Sequence, residues 1–374
     1  MISSKWLQSN DPWAYNHDQQ LWERADTDMH FGIHLGDEPL GVSARTHLST
    51  LLRIVEAGQE AGFTYFTLGQ HFGYRGIRWL QPVPTLARLC SNLDRDARLG
   101  TSILIAPLYP PVMLAEEIAT LDIISDGQLV IGLGTGYLPE EYAALGVDFN
   151  ERYARLDELL QLLPLLWTQP AVSFDGRFTQ LTDTPTHIHP LQRPGPPIWV
   201  GAMAQAGVRR AARLADAWTI TPQQTITEID ALIRVYANER TRTQRPFGYL
   251  PLRREIHVGS SFEHALDTFT RNAHYKYDAY VNRGMNLLSA AQVRDSFDET
   301  VANHVILGTA ESCRQQIVDI AGRIPVDPII FRPHWPGMDV DDAIEDIQRI
   351  GREIVHPLRD LSPITMQEFM ETVE

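Results

Sequence analysis

The sequence predicts an α/β chain closed into a (β/α)₈ TIM barrel, with insertions at the C-terminal face, and three observations carry that prediction. Strand-like and helix-like segments alternate through most of the 374 residues. Strand-like runs such as Ile103-Leu104-Ile105-Ala106 are continuously apolar, as in parallel strands buried on both faces. About eight strand–helix units follow one another, which favours a closed barrel over an open sheet, and roughly 250 residues suffice for the barrel itself.

The elements follow in order. His30 to Leu35 reads as the first strand, and Leu48, Leu51, Leu52 and Val55 mark a helical stripe that Gly62 ends. Phe63 to Leu68 and Arg98 to Ala106 are the next strands; Pro110 and Pro111 open a helix carrying Leu114, Ile118 and Leu121. Ser125-Asp126-Gly127 closes that helix before a strand from Gln128 to Leu133. The second half places strands at Pro197–Gly201, Ala217–Ile220, Arg254–Val258 and Pro328–Arg332. Helices are expected at Gly207–Ala215, along Ile226, Ile229, Ile233 and Tyr236, along Cys313, Ile317 and Ile320, and along Ala343, Ile347, Ile350 and Ile354. Residues 169–196 and 260–305 break the rhythm and are expected as insertions into a single domain spanning 1–374, with 1–28 as an N-terminal extension carrying Trp6, Trp13 and Trp22.

Composition narrows the partners. Lys plus Arg number 32 against 47 Asp plus Glu, for a net charge of −15. That balance argues against nucleic acid and against a membrane surface, both of which select basic footprints. No apolar run approaches a membrane span, and the start lacks a secretion-signal pattern. The two cysteines, Cys90 and Cys313, provide neither a disulfide framework nor a metal spacing, so a cytoplasmic protein is expected. His187 and His189 lack a third ligand at a known spacing, and no metal is expected.

In a barrel of this kind, chemistry sits where the strands' C-terminal ends meet the following loops. Four such ends carry candidates. Gly132-Leu133-Gly134-Thr135-Gly136-Tyr137 leaves amides free for an anion, or else is a tight turn packed under a helix. Gly201-Ala202-Met203 precedes a helix start, which suits a phosphate, or else serves close helix–strand packing. His71 follows the second strand and is a candidate for proton transfer near neutrality; the alternative is a satisfied structural histidine. His34 occupies a similar place on the first strand. Arg332 either clamps an anionic substrate group or pairs with an acid at the rim.

Taken in order, these segments resemble the bacterial luciferase-like monooxygenases from about Met29 to Arg359. The resemblance rests on Arg98-Leu-Gly-Thr-Ser-Ile-Leu104, Ala115-Glu-Glu-Ile-Ala-Thr-Leu-Asp122, Ser125-Asp-Gly-Gln128, Gly132–Tyr137 and Glu140-Glu-Tyr142. It is carried further by Trp167, Phe174-Asp-Gly176, Pro196–Gly201, Ala211–Trp218, Leu307–Glu311 and Arg332–Met338. It implies a non-proline cis peptide at Ser102–Ile103 beneath a flavin ring. It also implies a phosphate pocket at Gly134, Thr135 and Gly136, beside Tyr137, together with Gly201, Ala202 and Met203. His71 matches the histidine that acts on substrate or cofactor. Many relatives place Ser or Thr after the fifth strand where this chain has Ala202, Met203 and Ala204, so phosphate there would depend on backbone amides and Thr135.

The implied reaction is oxidation of a small organic substrate with O₂ and reduced FMN, the FMN supplied by a separate reductase. Hydride transfer with a deazaflavin coenzyme is the alternative, and a flavin-binding protein without turnover is the third. The resemblance further implies a homo-oligomer. Tyr275, Tyr277 and Tyr280 are expected to belong to a lid.

Overall fold

The computed structural model describes residues 28–281 and 304–372. Residues 1–27 of the expected extension 1–28, with its three tryptophans, the stretch 282–303 and the Tyr280 side chain lie outside the described residues.

The elements in chain order are β1 (Phe31–Leu35), β2 (Glu38–Pro39), α1 (Ala44–Glu60), β3 (Tyr65–Leu68), β4 (Ile77–Arg78) and α2 (Pro82–Leu89). Then come β5 (Arg98–Ile105), α3 (Pro111–Ile124), β6 (Leu129–Gly134), α4 (Pro139–Ala144), α5 (Arg152–Thr168), β7 (Ala171–Asp175) and β8 (Gln180–Pro185). The chain continues through β9 (Ile198–Gly201), α6 (Gln205–Leu214), β10 (Ala217–Thr219), α7 (Ile226–Arg242), β11 (Leu250–Val258) and α8 (Phe262–Val281). After 304 follow β12 (Val305–Gly308), a helix Ala310–Ala321, β13 (Val326–Arg332) and a helix Val340–Ile350.

Nine strands form one parallel, curled sheet in the order β10-β9-β6-β5-β3-β1-β13-β11-β12. Beyond β10, Ile220 bridges Leu252 of β11: the Ile220 amide donates to Pro251 O at 2.8 Å and the Arg253 amide to Ile220 O at 3.0 Å.

The strand registers decide what faces inward. Gly32 pairs with Ile330 and with Tyr65, Arg253 with Ile330, Gly132 with Trp199, and Trp199 with Ala217. Side chains at paired positions share a face. Val130, Trp199, Ala217, Ile330 and Tyr65 accordingly form one interior cluster drawn from five strands, with the Tyr65 and Trp199 rings stacked 6.1 Å apart. Glycine makes room for them: a β-carbon on Gly32 would lie 2.7 Å from Tyr65 Cβ. The opposite faces of the strands pack Phe31, Phe66, Leu99, Ile131 and Phe331 into the larger core shared with the helices.

Gly132 is the tightest of these positions, because a β-carbon there would collide with the Thr101 carbonyl and crowd Ser102 Cα. The Thr101 hydroxyl also donates to Gly132 O at 2.7 Å, closing β5 onto β6 where the register shifts. Gly132→Ala is expected to cost about 1–3 kcal/mol, since backbone cannot swing aside as a side chain would. Gly41→Ala, with nothing near its β-carbon, is the control in urea unfolding. Equal midpoints for the two variants would refute this packing account.

Some sequence expectations shift. The α1 stripe is centred on His47, Leu51, Ile54, Val55 and Gly58, with Leu48 and Leu52 at its margin, because the buried face turns toward β1 and β3. The strand expected at Arg254–Val258 starts at Leu250; Pro251 conceals its beginning in the sequence. The main sheet has nine strands rather than eight, β12 being the addition. The stretch 169–196 contains an antiparallel β7–β8 hairpin, and 260–305 opens with the helix α8.

Candidate active site

The C-terminal ends of the strands place one layer of polar groups above the apolar interior. His34 pairs in register with Thr67, Gly201 with Thr219, and Glu255 with Arg332. Ser102 belongs to this layer on β5, and its bond to Ile103 is cis, as the resemblance implies. Ile103 fills the space that side chains on Gly134 and Gly201 would otherwise occupy, approaching those positions to 2.8 and 3.0 Å. Arg253 reaches from β11 and donates to the Ser102 carbonyl at 3.2 Å. The Thr219 hydroxyl, buried in the same layer, has no hydrogen-bond partner among the described residues. An unpaired hydroxyl in such a place favours a ligand atom that pairs with it.

His71 stands to one side of this layer in an aromatic box. The rings of Tyr74, Trp79 and Tyr137 lie 4.7, 4.9 and 5.6 Å from its own. Nδ1 donates to Glu141 Oε1 at 2.8 Å, and the same oxygen accepts the Phe72 amide at 2.8 Å. Glu141 comes from α4, on the loop that follows β6, so the dyad joins two strand tips. A carboxylate on Nδ1 sets the tautomer and leaves Nε2 as the acceptor. Gln70 fixes the approach: it accepts from the Ile105 amide at 2.9 Å and donates to Gln81 at 2.8 Å, while Gln81 donates to the His71 carbonyl at 3.1 Å.

Across the layer lies a buried charged network. Arg332 pairs with Asp37, both shielded from water. Lys276 of α8 donates to Glu255 Oε1 at 2.7 Å, and the Tyr277 hydroxyl to Oε2 at 2.5 Å. Burial opposes the charge on Asp37 and on Glu255, but Arg332 and Lys276 near the first, and Lys276 foremost near the second, outweigh it and hold both carboxyls below their ordinary values. Burial and then Arg332 push Lys276 down to about 8. His34, with Nδ1 3.1 Å from Thr67 Oγ1, is held neutral by burial and then by Arg253, Arg332 and Lys276.

His334, beside this network, is pushed down to about 4, by burial first and Arg332 second. An imidazole lowered in the folded state stays neutral while its unfolded counterpart protonates. Stability is therefore expected to fall as pH drops from 6.5 toward 4, by roughly 3 kcal/mol at the full shift. A His334→Phe protein should show a flatter unfolding profile across that window, and an unchanged slope would refute the assignment.

The candidate residues thus fall into four places. His71 and Tyr137 meet in the aromatic box; His34, Ser102, Ile103, Gly134, Gly201 and Arg332 belong to the layer. Thr135 and Gly136 continue outward from Gly134. Gly136 has φ +61°, a left-handed turn that glycine adopts freely, and the Tyr142 hydroxyl donates to Thr135 O at 2.5 Å. Ala202 and Met203 lie on the exposed turn into α6, pinned by the Trp218 indole donating to Ala202 O at 2.9 Å. The α6 N-cap is Ala204, which has no side chain to cap with, so the first amides of this ten-residue helix are open to an anion.

Of the two readings weighed for Arg332, the structure displays the pairing with an acid. Tyr275 and Tyr277 tie α8 to the turn before β4 and to β11: the first donates to Gly76 O at 2.8 Å, the second to Glu255. His189 contacts the carbonyls of Trp167 and Thr186, and among the described residues no cluster of three His, Cys, Asp or Glu is arranged to hold a metal. Sequence reasoning missed Glu141 as the partner of His71, and also Asp37, Arg253, Glu255 and Lys276. For Glu141 the signal was present in Glu140-Glu141-Tyr142; for Arg253 and Glu255 it was a charge at alternate positions of a strand, while Asp37 and Lys276, in a loop and on α8, carried none.

Relatives with assigned roles fall in two groups. The oxygenase component of a flavin-dependent trigonelline monooxygenase from Acinetobacter baylyi is 32% identical over 154 residues, 41% of this chain and 42% of that one. An F420-dependent glucose-6-phosphate dehydrogenase from Nocardia farcinica is 29% identical over 198 residues, 50% of this chain and 58% of that one. The chain thus spans about half the length of these curated relatives. Among solved structures, the monooxygenase RslO1 from Streptomyces bottropensis superposes with a TM-score of 0.79 at 23% identity, covering 88% of this chain and 99% of that one, a likeness of fold. No described helix is long and apolar enough to cross a membrane. Residues 29–327 match the family described as luciferase-like monooxygenase, and the chain belongs to that family of oxidoreductases.

Proposed function

We propose that this enzyme is the oxygenase component of a two-component system, taking reduced FMN from a separate reductase and oxidising a small organic substrate with O₂. The observation that carries the reading is the His71–Glu141 dyad inside its aromatic box, joined by Gln70 to the strand that contains the cis Ser102–Ile103 bond. We read the Ile220–Leu252 bridge as closing the sheet into a full (β/α)₈ barrel, whose mouth is then this site.

The residues present fit a flavin in three respects. The open α6 amides, with Ala202 and Met203 before them, suit the phosphate, and Gly134, Thr135 and Gly136 form the neighbouring wall. Ser102 and Ile103 form the platform for the ring. The unpaired Thr219 hydroxyl is a ready contact within the layer. When bound, reduced flavin supplies the electrons for the reaction with O₂. The protein's share is to bind, to orient and to keep water out. His71 Nε2, left as the acceptor by the Nδ1 hydrogen bond to Glu141, takes or returns the proton at the reacting oxygen or substrate. His34, kept neutral, offers a hydrogen bond without adding charge, and Arg332 fixes the rim through Asp37.

Hydride transfer with a deazaflavin is the second reading, favoured by the resemblance to an F420-dependent dehydrogenase. Titration of the purified protein with FMN and with the deazaflavin separates the two. Binding of FMN together with substrate-dependent O₂ uptake is the expected result; binding of the deazaflavin alone would end the monooxygenase reading. We place the enzyme in the cytoplasm as a homo-oligomer, which light scattering would test.

A further inference from the structure

The place offered to the cofactor phosphate has no counter-charge of its own. Ala202, Met203 and Ala204 bring no side-chain donor, and the start of α6, Gln205-Ala206-Gly207, brings no cation. Backbone amides at a helix start supply only partial charge, whereas a phosphomonoester carries roughly −1.5 to −2 at pH 7. A row of rings leads from there to a formal charge. The Tyr142 hydroxyl donates to Thr135 O, and the Tyr142 ring meets that of Phe149 edge-on at 5.3 Å. The Arg152 guanidinium lies 3.7 Å over the Phe149 ring and 4.3 Å over that of Tyr153, and Arg210 reaches the same tyrosine from α6 at 5.4 Å. A β-carbon on Gly207 would lie 4.0 Å from Arg210 Nη1 and 2.8 Å from Ala202 Cβ. The row therefore runs from the Thr135 turn to the opening of α6.

The arginines along this row differ in partnership. Arg210 is matched by Asp157, and Arg155 and Arg177 both by Glu151. Arg152, half-buried at the start of α5, is in no ion pair among the described residues. It donates from Nη1 to Phe149 O at 2.8 Å and from Nη2 to the Tyr153 hydroxyl at 3.1 Å, and its buried Nε has no acceptor. A charged acceptor makes hydrogen bonds to a guanidinium roughly twice as strong as these neutral ones. The two rings hold the planar group in place without cancelling its charge. We propose that Arg152 is the counter-ion of the cofactor phosphate, held at the pocket wall by Phe149 and Tyr153. The proposal rests on the flavin reading above for its ligand, but the binding it claims is measurable without turnover.

The probes are FMN, riboflavin, which lacks the phosphate, and inorganic phosphate, each titrated against the full chain by calorimetry. The wild-type protein is expected to bind FMN at least tenfold more tightly than riboflavin. Arg152→Gln is expected to reduce that preference to below threefold while riboflavin affinity stays the same. Arg152→Lys, which keeps the charge but not the planar fork, retains part of the preference and carries the test should the glutamine variant not fold. Arg209→Gln, at an exposed arginine on α6, serves as the control and should keep the full preference. Equal wild-type affinity for FMN and riboflavin would overturn the proposal. So would an Arg152→Gln protein that keeps its preference, one that loses both flavins equally, or an Arg209→Gln protein that loses it instead. A protein that takes neither flavin would remove the flavin reading. Phosphate binding that weakens at least tenfold in Arg152→Gln would then leave the subsite standing, and phosphate binding indifferent to that change would remove it too.

Discussion

His71→Ala is expected to lower kcat for substrate oxidation by about 10²–10⁴, the range that a positioned general acid–base group contributes. The expectation follows from the tautomer. Glu141 accepts the Nδ1 proton at 2.8 Å, so Nε2 is the basic nitrogen, and three aromatic rings shield the pair from water. Glu141→Gln preserves the shape and a hydrogen-bonding oxygen but removes the charge that supports a developing imidazolium, so its loss should be smaller than that of His71→Ala. The Phe72 amide also donates to Glu141, and the glutamine oxygen satisfies that bond, which keeps the loop in place. Rapid-quench measurement of single turnovers with preformed reduced flavin isolates the chemical step. A His71→Ala protein as fast as wild type would show that the histidine is structural.

Asp37→Ala is expected to destabilise the fold by about 3–5 kcal/mol, because it strands the buried Arg332 guanidinium without its carboxylate. Lys276 and Glu255 stand close enough to share the disturbance: Lys276 feels both Arg332 and Asp37, and losing Asp37 leaves two like charges facing each other. The paired replacement Asp37→Leu with Arg332→Met removes both charges and should recover most of the loss, since apolar side chains of similar volume often replace a buried ion pair without cost. Urea unfolding of the two single variants and the double gives the coupling energy. A single variant within about 0.5 kcal/mol of wild type, the range of ordinary surface changes, would refute the reading.

Much of this molecule is legible in its sequence. The apolar run Ile103–Ala106 announces a strand buried on both faces, and Pro111 and Gly127 bracket α3 and its closing turn. The cis bond at Ser102–Ile103 followed from the resemblance. What escaped was partnership. Arg332 was visible as a charge at a strand end, but whether it met a substrate or an acid depended on Asp37, 295 residues away in the chain. His71 and Glu141 are 70 residues apart, and Lys276 belongs to a helix in a stretch that had read as an insertion.

The sequence by itself determined most of the main-sheet strands, the stripes of the helices that follow them, and which strand ends carry candidate residues. These are local matters of period and size, and each is written within a few residues. Only the tertiary structure decided which charges neutralise one another and which nitrogen of His71 pairs with Glu141. Those outcomes depend on register and on sheet curvature, which bring distant strand tips within 3 Å in a dry interior where each charge must find its partner.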